Sequence, residues 1–168
     1  QQLGTSPTPV REALLKLVAA GALDAAPAQS FQVPVITRER YLEMSRIRKA
    51  LEGLAAEEAA QRIDSPQMAA LAGLNERFRA AKTEGDVRAA LTHNQAFRFA
   101  LYGAAEMPTL LELIEAIWLR IGPCFNYLYP KARLAGGGRH NYDEVLEALA
   151  VPDPARVRRA IERAIDDG

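Results

Sequence analysis

The sequence has little of what marks several common classes of protein. Its 168 residues include a single cysteine, Cys124, so the chain forms no internal disulfide, and a reducing compartment is expected. The 21 basic residues are balanced by 21 acidic ones, so the net charge indicates neither a nucleic-acid nor a membrane partner. No run of about 18 apolar residues occurs, and no transmembrane helix is therefore predicted.

Alternating strand patterns are absent after residue 36, and apolar residues recur there at helical spacing. The predicted helices are 41–61, 65–82, 87–102, 109–121, 142–150 and 154–165. Ser65 and Asp86 are the expected N-caps of the second and third of these helices. Pro123 should kink or end the fourth helix, because proline removes a backbone hydrogen bond. The glycines in 135–138 predict a loop, and the chain as a whole is predicted to be mainly α.

The stretch 3–17, LGTSPTPVREALLKL, has the features of a short amphipathic helix with a polar start. Pro7 and Pro9 are tolerated in its first turn, where N–H groups have no intrahelical partner. The apolar positions give one buried stripe, formed by Val10, Ala13, Leu14, Leu17 and Val18. Such a helix fits a DNA major groove, but an ordinary surface helix has the same periodicity.

The order of residues in this stretch resembles the recognition helix of GntR-family transcription regulators, whose pattern is roughly L-G-x-S-R-T-P-V-R-E-A-L-x-x-L. The matching residues are Leu3, Gly4, Ser6, Thr8, Pro9, Val10, Arg11, Glu12, Ala13, Leu14 and Leu17. Pro7 departs from the pattern, at a position where the family usually has an arginine that contacts DNA. The resemblance implies a partial winged helix-turn-helix over 1–36. Because the sequence opens with Gln1 and not Met, we expect the rest of that domain to lie upstream.

Two short strands predicted at 22–25 and 31–36 match the wing, the hairpin that follows the recognition helix in this family. The family usually has Arg-Gly at the tip of the wing, whereas this chain has Gln29 and Ser30. Contacts of the wing with DNA should therefore be weaker or redirected. The residues that the resemblance implies for binding double-stranded operator DNA are Ser6, Thr8, Arg11, Gln29 and Ser30.

The helices after the linker resemble the FCD effector domain of the FadR-type subgroup of this family. The resemblance covers RKALEGLAA at 48–56, IEAIWLRIGP at 114–123 and the end of the chain. It implies an all-α antiparallel bundle of six to seven helices over 37–168 that binds an effector and forms a homodimer. Trp118 falls in an apolar stripe that belongs either to the core or to an interface.

Polar residues interrupt the apolar face of the predicted helix 87–102. Asn94 and Arg98 share that face with Leu91 and Leu101. A buried arginine is costly unless an acid or an anionic ligand accompanies it. Arg98 therefore either pairs internally, with a residue such as Glu52, or binds an effector.

Arg48 and Tyr142 also lie on apolar faces of their predicted helices, although a lone tyrosine is more often part of a core. A guanidinium group binds a carboxylate through two parallel hydrogen bonds, so the expected effector is a small organic acid. The predicted effector-binding residues are Arg48, Asn94, Arg98 and Tyr142.

Many effector domains of this subgroup bind a divalent metal through one aspartate and three histidines. In the register of the resemblance, those positions fall on Asn94, Arg98, Tyr142 and Ala164. These residues do not supply the converging donors that a transition metal needs, so no metal cofactor is expected. His93 and His140 lie beside these positions but off register, and a rearranged metal site built from them is the alternative.

The predicted function is a ligand-responsive transcription regulator of the bacterial cytoplasm, without enzymatic activity or a membrane partner. An acid would shift the population of dimer geometries and so the spacing of two recognition helices. One alternative is a binding protein that has lost operator recognition, as Pro7, Gln29 and Ser30 suggest. Another is a small helical enzyme in which Arg98 binds a carboxylate and Tyr142 serves as the acid, although no nucleophile–base pair supports it.

Overall fold

The computed structural model describes residues 7–27, 30–125 and 141–167. Within these ranges lie seven α-helices and a two-stranded antiparallel sheet, which confirms the predicted mainly α fold. The elements are α1 (Pro7–Ala19), β1 (Asp24–Ala26), β2 (Ser30–Gln32), α2 (Arg38–Ala59), α3 (Ser65–Glu84), α4 (Val87–Gly103), α5 (Pro108–Phe125), α6 (Asn141–Leu149) and α7 (Pro154–Asp166). No described helix combines the length and apolar character that crossing a bilayer requires.

The helix α1 ends at Ala19 and is closed by Gly21, which has a left-handed φ of 72°. The Gly21 N–H donates to Val18 O and the Ala22 N–H donates to Leu17 O, each over 2.9 Å. These two bonds form the Schellman closure that glycine favours at the end of a helix. The predicted buried stripe of α1 is only half-buried, and Ala13 is exposed, because α1 packs extensively on no other described helix.

The hairpin after α1 is shorter than the strands predicted at 22–25 and 31–36. Its register pairs Asp24 with Gln32, Ala25 with Phe31 and Ala26 with Ser30. The first strand begins late because the N–H groups of Ala22 and Leu23 still close α1. The second strand ends before Pro34, which has no N–H to donate to a ladder.

The six helices from α2 onward bury the core, and α2 is central to it. It packs on α4, α5 and α7, while α3 packs on α4 and α6. Small residues permit the close approach of α2 and α7, since a Cβ placed on Gly53 would lie 3.1 Å from side-chain atoms of Arg158 and Glu162. Thr37 caps α2 by accepting the Arg40 N–H. The division into domains 1–36 and 37–168 stays a prediction.

Several predicted helix ends differ from the structure: α2 runs over Arg38–Ala59 where 41–61 was predicted, and the predicted cap of α3 is wrong. Asp64, not Ser65, caps α3, because its carboxylate accepts the Gln67 N–H while the Gln67 side chain accepts the Asp64 N–H. The helix α5 extends beyond its predicted end at 121 and continues through Pro123 to Phe125, because only its last turn loses a hydrogen bond and Phe125 is buried. The predicted cap Asp86 is confirmed, and the predicted loop at 135–138 lies outside the described residues.

Candidate functional site

The centre of the helical bundle holds one carboxylate, Glu52 of α2, with no exposed surface. Its neighbours donate to both of its oxygens. The donors are Arg48 Nε at 2.7 Å, Trp118 Nε1 at 2.9 Å, Arg98 Nη1 at 3.0 Å and Tyr102 Oη at 2.5 Å. These five residues, together with Tyr142, are called the Glu52 cluster below. The cluster joins α2, α4, α5 and α6 at one point of the core.

Arg98 extends this network to α6 and α7. Its Nε donates to Tyr142 Oη over 2.8 Å, and its Nη2 donates to the backbone oxygen of Ala164 over 3.1 Å. The Tyr142 hydroxyl in turn donates to Asn94 Oδ1. Arg98 is 4% exposed and forms the internal ion pair with Glu52 that the sequence offered as one of two alternatives.

The charges within the Glu52 cluster do not balance. Arg48, Glu52 and Arg98 are the charged side chains buried in the described core, and they comprise two cations and one anion. Only Nε of Arg48 has a described hydrogen-bond partner, which is Glu52. The Arg48 guanidinium carbon lies 5.3 Å from the ring centroid of Trp118 and 5.2 Å from that of Phe125, so two aromatic rings flank the group.

Electrostatics keep the protonation states of the cluster fixed near neutral pH. Burial raises the pKa of Glu52, but attraction by Arg48 and Arg98 outweighs burial and leaves that pKa below its ordinary value. Burial raises the pKa values of the Tyr102 and Tyr142 phenols. The carboxylate therefore remains ionised, while both tyrosines remain neutral hydrogen-bond donors.

The four positions at which the resemblance places metal ligands do converge. Tyr142 and the Ala164 backbone both contact the Arg98 guanidinium, and Asn94 contacts Tyr142. These residues do not fit a metal ion, because a cationic side chain lies among them and Asn94 Oδ1 already accepts a hydrogen bond from the Tyr142 hydroxyl. Within the described ranges, no group of three or more His, Cys, Asp or Glu could hold a metal. His140 lies outside those ranges.

A cleft of about 1030 Å³ separates part of α4 from α5 beside the Glu52 cluster. Leu91, Asn94 and Phe99 line it from α4, and Trp118 and Phe125 line it from α5. The wall is mostly apolar, and its polar and charged side chains are Arg88, Thr92, Asn94, Gln95 and Glu115. The two aromatic residues that flank Arg48 thus also face the cleft.

The predicted DNA-binding residues that the structure describes, which are Thr8, Arg11 and Ser30, lie apart from this cluster. Thr8 and Arg11 are exposed on α1, as contact with DNA requires. Ser30 is exposed in β2, but its hydroxyl donates to the backbone oxygen of Pro27 over 2.8 Å and so closes the hairpin. Ser6 and Gln29 lie outside the described residues. The assignment of all five residues to DNA stays a prediction.

Sequence reasoning brought together the four predicted effector residues but missed two members of the Glu52 cluster. Tyr102 follows Arg98 by four residues, so helical spacing alone could have placed its hydroxyl beside the guanidinium. Trp118 is core, and a buried indole N–H needs an acceptor, which was the available signal. That its acceptor is Glu52 depends on the packing of α5 against α2.

Comparison with known proteins gives matches over nearly the whole chain. Residues 43–167 match the FCD domain family. The HTH-type transcriptional regulator McbR of Escherichia coli K12 is 40% identical over 163 residues, which are 96% of this chain and 74% of that protein. A solved structure of E. coli McbR/YncC has a TM-score of 0.91 at 39% identity, covering 98% of this chain and 79% of the other. A putative transcriptional regulator GntR from Rhodococcus sp. RHA1 shares the fold, with a TM-score of 0.78 at 19% identity over 98% of this chain and 79% of its own.

Proposed function

This chain belongs to the GntR family of transcription regulators with an FCD domain, and we propose that its effector is a small organic acid bound beside the Glu52 cluster. As a member of that family it is a ligand-responsive transcription regulator. The proposal concerns what the ligand is and which residues bind it. The supporting observation is the surplus positive charge buried at the centre of the helical domain.

Two guanidinium groups share one carboxylate in the cluster, and both are almost fully buried. A charge removed from water is stabilised by an opposite charge and by hydrogen bonds. Glu52 and the phenols satisfy Arg98, whereas Arg48 retains terminal amino groups without a described acceptor. A carboxylate that approaches Arg48 would complete the balance of charge.

The cleft between α4 and α5 is the proposed binding space. Its apolar wall suits the hydrocarbon part of an organic acid, and the Asn94 amide can bind a polar substituent. Trp118 and Phe125 line the cleft and lie beside Arg48, so a rearrangement of these two rings would bring the acid and the guanidinium together. Arg98 and Tyr142 support the site from behind, by fixing Asn94 through Tyr142.

We further propose that this site works without a metal. The Arg98 guanidinium supplies positive charge among the residues where the subgroup usually has metal ligands, and it remains protonated at every physiological pH. A metal chelator should therefore leave effector affinity unchanged.

We also propose that the protein acts as a homodimer on double-stranded operator DNA in the cytoplasm and has no enzymatic activity, in keeping with relatives that are regulators of transcription.

Trp118 provides the test, because it is the single tryptophan in the sequence and lies in the cluster. Small mono- and dicarboxylates would be titrated into the protein while its tryptophan emission is followed, with the matching amides as neutral probes. We expect an acid to change the emission saturably, and the amides to have no effect. Replacing Arg48 should weaken the binding by about tenfold or more, as expected for loss of a charge-assisted contact.

The matched control for Arg48→Met is Lys49→Met. Lys49 is the next residue of α2, but its ammonium pairs at the surface with Asp166, so its loss should leave carboxylate binding unchanged. Equal loss of affinity in both variants, or binding of the amides as tightly as the acids, would overturn the proposed site. Turnover of any probe would instead support the enzyme alternative.

A further inference from the structure

The C-terminal end of α1 has a carbonyl group that its own helix does not use. The Schellman closure satisfies the carbonyls of Leu17 and Val18. The Ala20 carbonyl is instead the acceptor for Arg120 of α5, whose Nε donates to it over 2.8 Å. A residue of the effector domain therefore completes the cap of the helix that resembles the recognition helix.

Arg120 fits closely at this position. A Cβ placed on Gly21 would lie 3.2 Å from Arg120 Nε, so the guanidinium lies directly against the glycine turn. The positive charge also faces the C-terminal end of α1, where the helix dipole is negative. Both effects hold the end of α1 against α5.

The other side of α5 contacts the Glu52 cluster. Trp118 precedes Arg120 by two residues, and a step of two residues turns a helix by about 200°, so the two side chains leave α5 on nearly opposite sides. The indole N–H of Trp118 donates to Glu52. A single helix thus contacts both the buried cluster and the end of α1.

We propose that Arg120 is the positioning residue through which the state of the Glu52 cluster determines the position of the recognition helix. The role of the cluster in binding an effector rests on the function proposed above. α5 is suited to this task because it packs chiefly on α2, while the cleft separates part of it from α4. A ligand in the cleft displaces α5 and carries Arg120, Ala20 and Gly21 with it.

Amide hydrogen exchange of the full-length protein tests this inference without DNA or an effector. The variant is Arg120→Met, which keeps the length of the side chain but removes the donor. The N–H groups of Ala20, Gly21 and Ala22 should exchange about tenfold faster, because a charge-assisted bond to the cap is lost. Arg77→Met, an exposed change on α3, is the control and should not alter these rates.

Arg120→Met would speed amide exchange equally if Arg120 only capped α1 and transmitted nothing. The decisive measurement is therefore whether substitutions in the Glu52 cluster and at Arg120 have coupled effects on exchange. Trp118→Phe removes one donor from Glu52 and should change exchange at the end of α1 by about threefold. In the Arg120→Met background the same substitution should have no further effect. Tyr102→Phe removes a different donor from Glu52 and should likewise change exchange at the end of α1 only while Arg120 is present. Agreement between the two cluster variants would show that the effect does not come from a folding defect of one of them.

Additive effects of Trp118→Phe and Arg120→Met, or no effect of either cluster variant on α1, would overturn the inference. If the substitutions have coupled effects on exchange but the protein binds no carboxylate, the connection through Arg120 is supported. Only the proposal that the effector is an organic acid is then contradicted. The two proposals therefore fail in distinguishable ways.

Discussion

Among single residues, Glu52 has an unusual position, since its one carboxylate forms ion pairs with two buried guanidinium groups. Removing one partner from a buried ion pair destabilises a protein by more than the net contribution of the pair to the free energy of unfolding. The reason is that the remaining charge stays buried without a partner. The structure of the cluster therefore makes Glu52 a determinant of stability as well as of charge.

Glu52→Gln should lower the free energy of unfolding by about 3–5 kcal/mol, because Arg48 and Arg98 would be left buried without an anion. Urea denaturation followed by circular dichroism measures this difference. The control is Glu58→Gln on the same helix, whose surface pair with Arg62 is worth at most about 1 kcal/mol. Equal losses of unfolding free energy in both variants would show that the buried ion pairs of Glu52 stabilise the protein no more than a surface pair does.

Stability should also depend on pH through Glu52. Its pKa is lower in the folded chain than the ordinary value of 4.5, so the folded state binds this proton less readily than the unfolded state. The contribution of Glu52 is therefore complete above pH 4.5 and is lost as pH falls through the folded-state pKa. Denaturation at a series of pH values between neutral and strongly acid measures this loss, which should be absent from Glu52→Gln.

At the scale of elements, the caps explain why the helices begin and end where they do. Asp64 and Asp86 cap α3 and α4, and Gly21 ends α1 with a positive φ. Such signals act over a single turn, so the sequence predicted Asp86 correctly and misplaced the cap of α3 by one residue, at Ser65. The end of α5 was harder to predict, because the cost of Pro123 depends on how much of the helix follows it and on what Phe125 gains by burial.

Two glycine substitutions test this view of the helix ends. Gly21→Ala should destabilise the protein by about 1 kcal/mol, because alanine disfavours a positive φ and its Cβ would displace Arg120. Gly73→Ala, inside α3 with open space around the position, should instead stabilise it by about 0.5–1 kcal/mol. Thermal denaturation compares the two, and shifts of the same sign would contradict the assignment.

At the scale of the whole molecule, a neutral chain must bind DNA through local charge. Arg11 is exposed on α1, and the loss of one phosphate contact per protomer should reduce the slope of log K against log salt by about one for each protomer. Fluorescence anisotropy of the full-length protein on DNA from its own promoter region, with Arg11→Ala over a salt series, measures that change. Arg77→Ala is the control, and binding that is indifferent to Arg11 would favour a protein that has lost operator recognition.

The helical class, most of the helix positions and the family all follow from the linear sequence. Those conclusions rest on caps, helical spacing and an ordered motif, which are all local or linear features. It also identified Arg48, Arg98 and Tyr142 as polar residues on apolar faces, and the structure places all of them in the core.

The contacts of these residues, in contrast, depend on how the helices pack in three dimensions. Arg98 and Glu52 are 46 residues apart, and Trp118 lies 66 residues from the same carboxylate, so no local pattern links them. The sequence left open whether Arg98 pairs with an acid or with a ligand, since that choice depends on which helices meet around it. The packing of α2, α4 and α5 brings Arg98 to Glu52, and the same packing places Arg120 against the end of α1, because side-chain partners are set by how helices pack and not by their order in the chain.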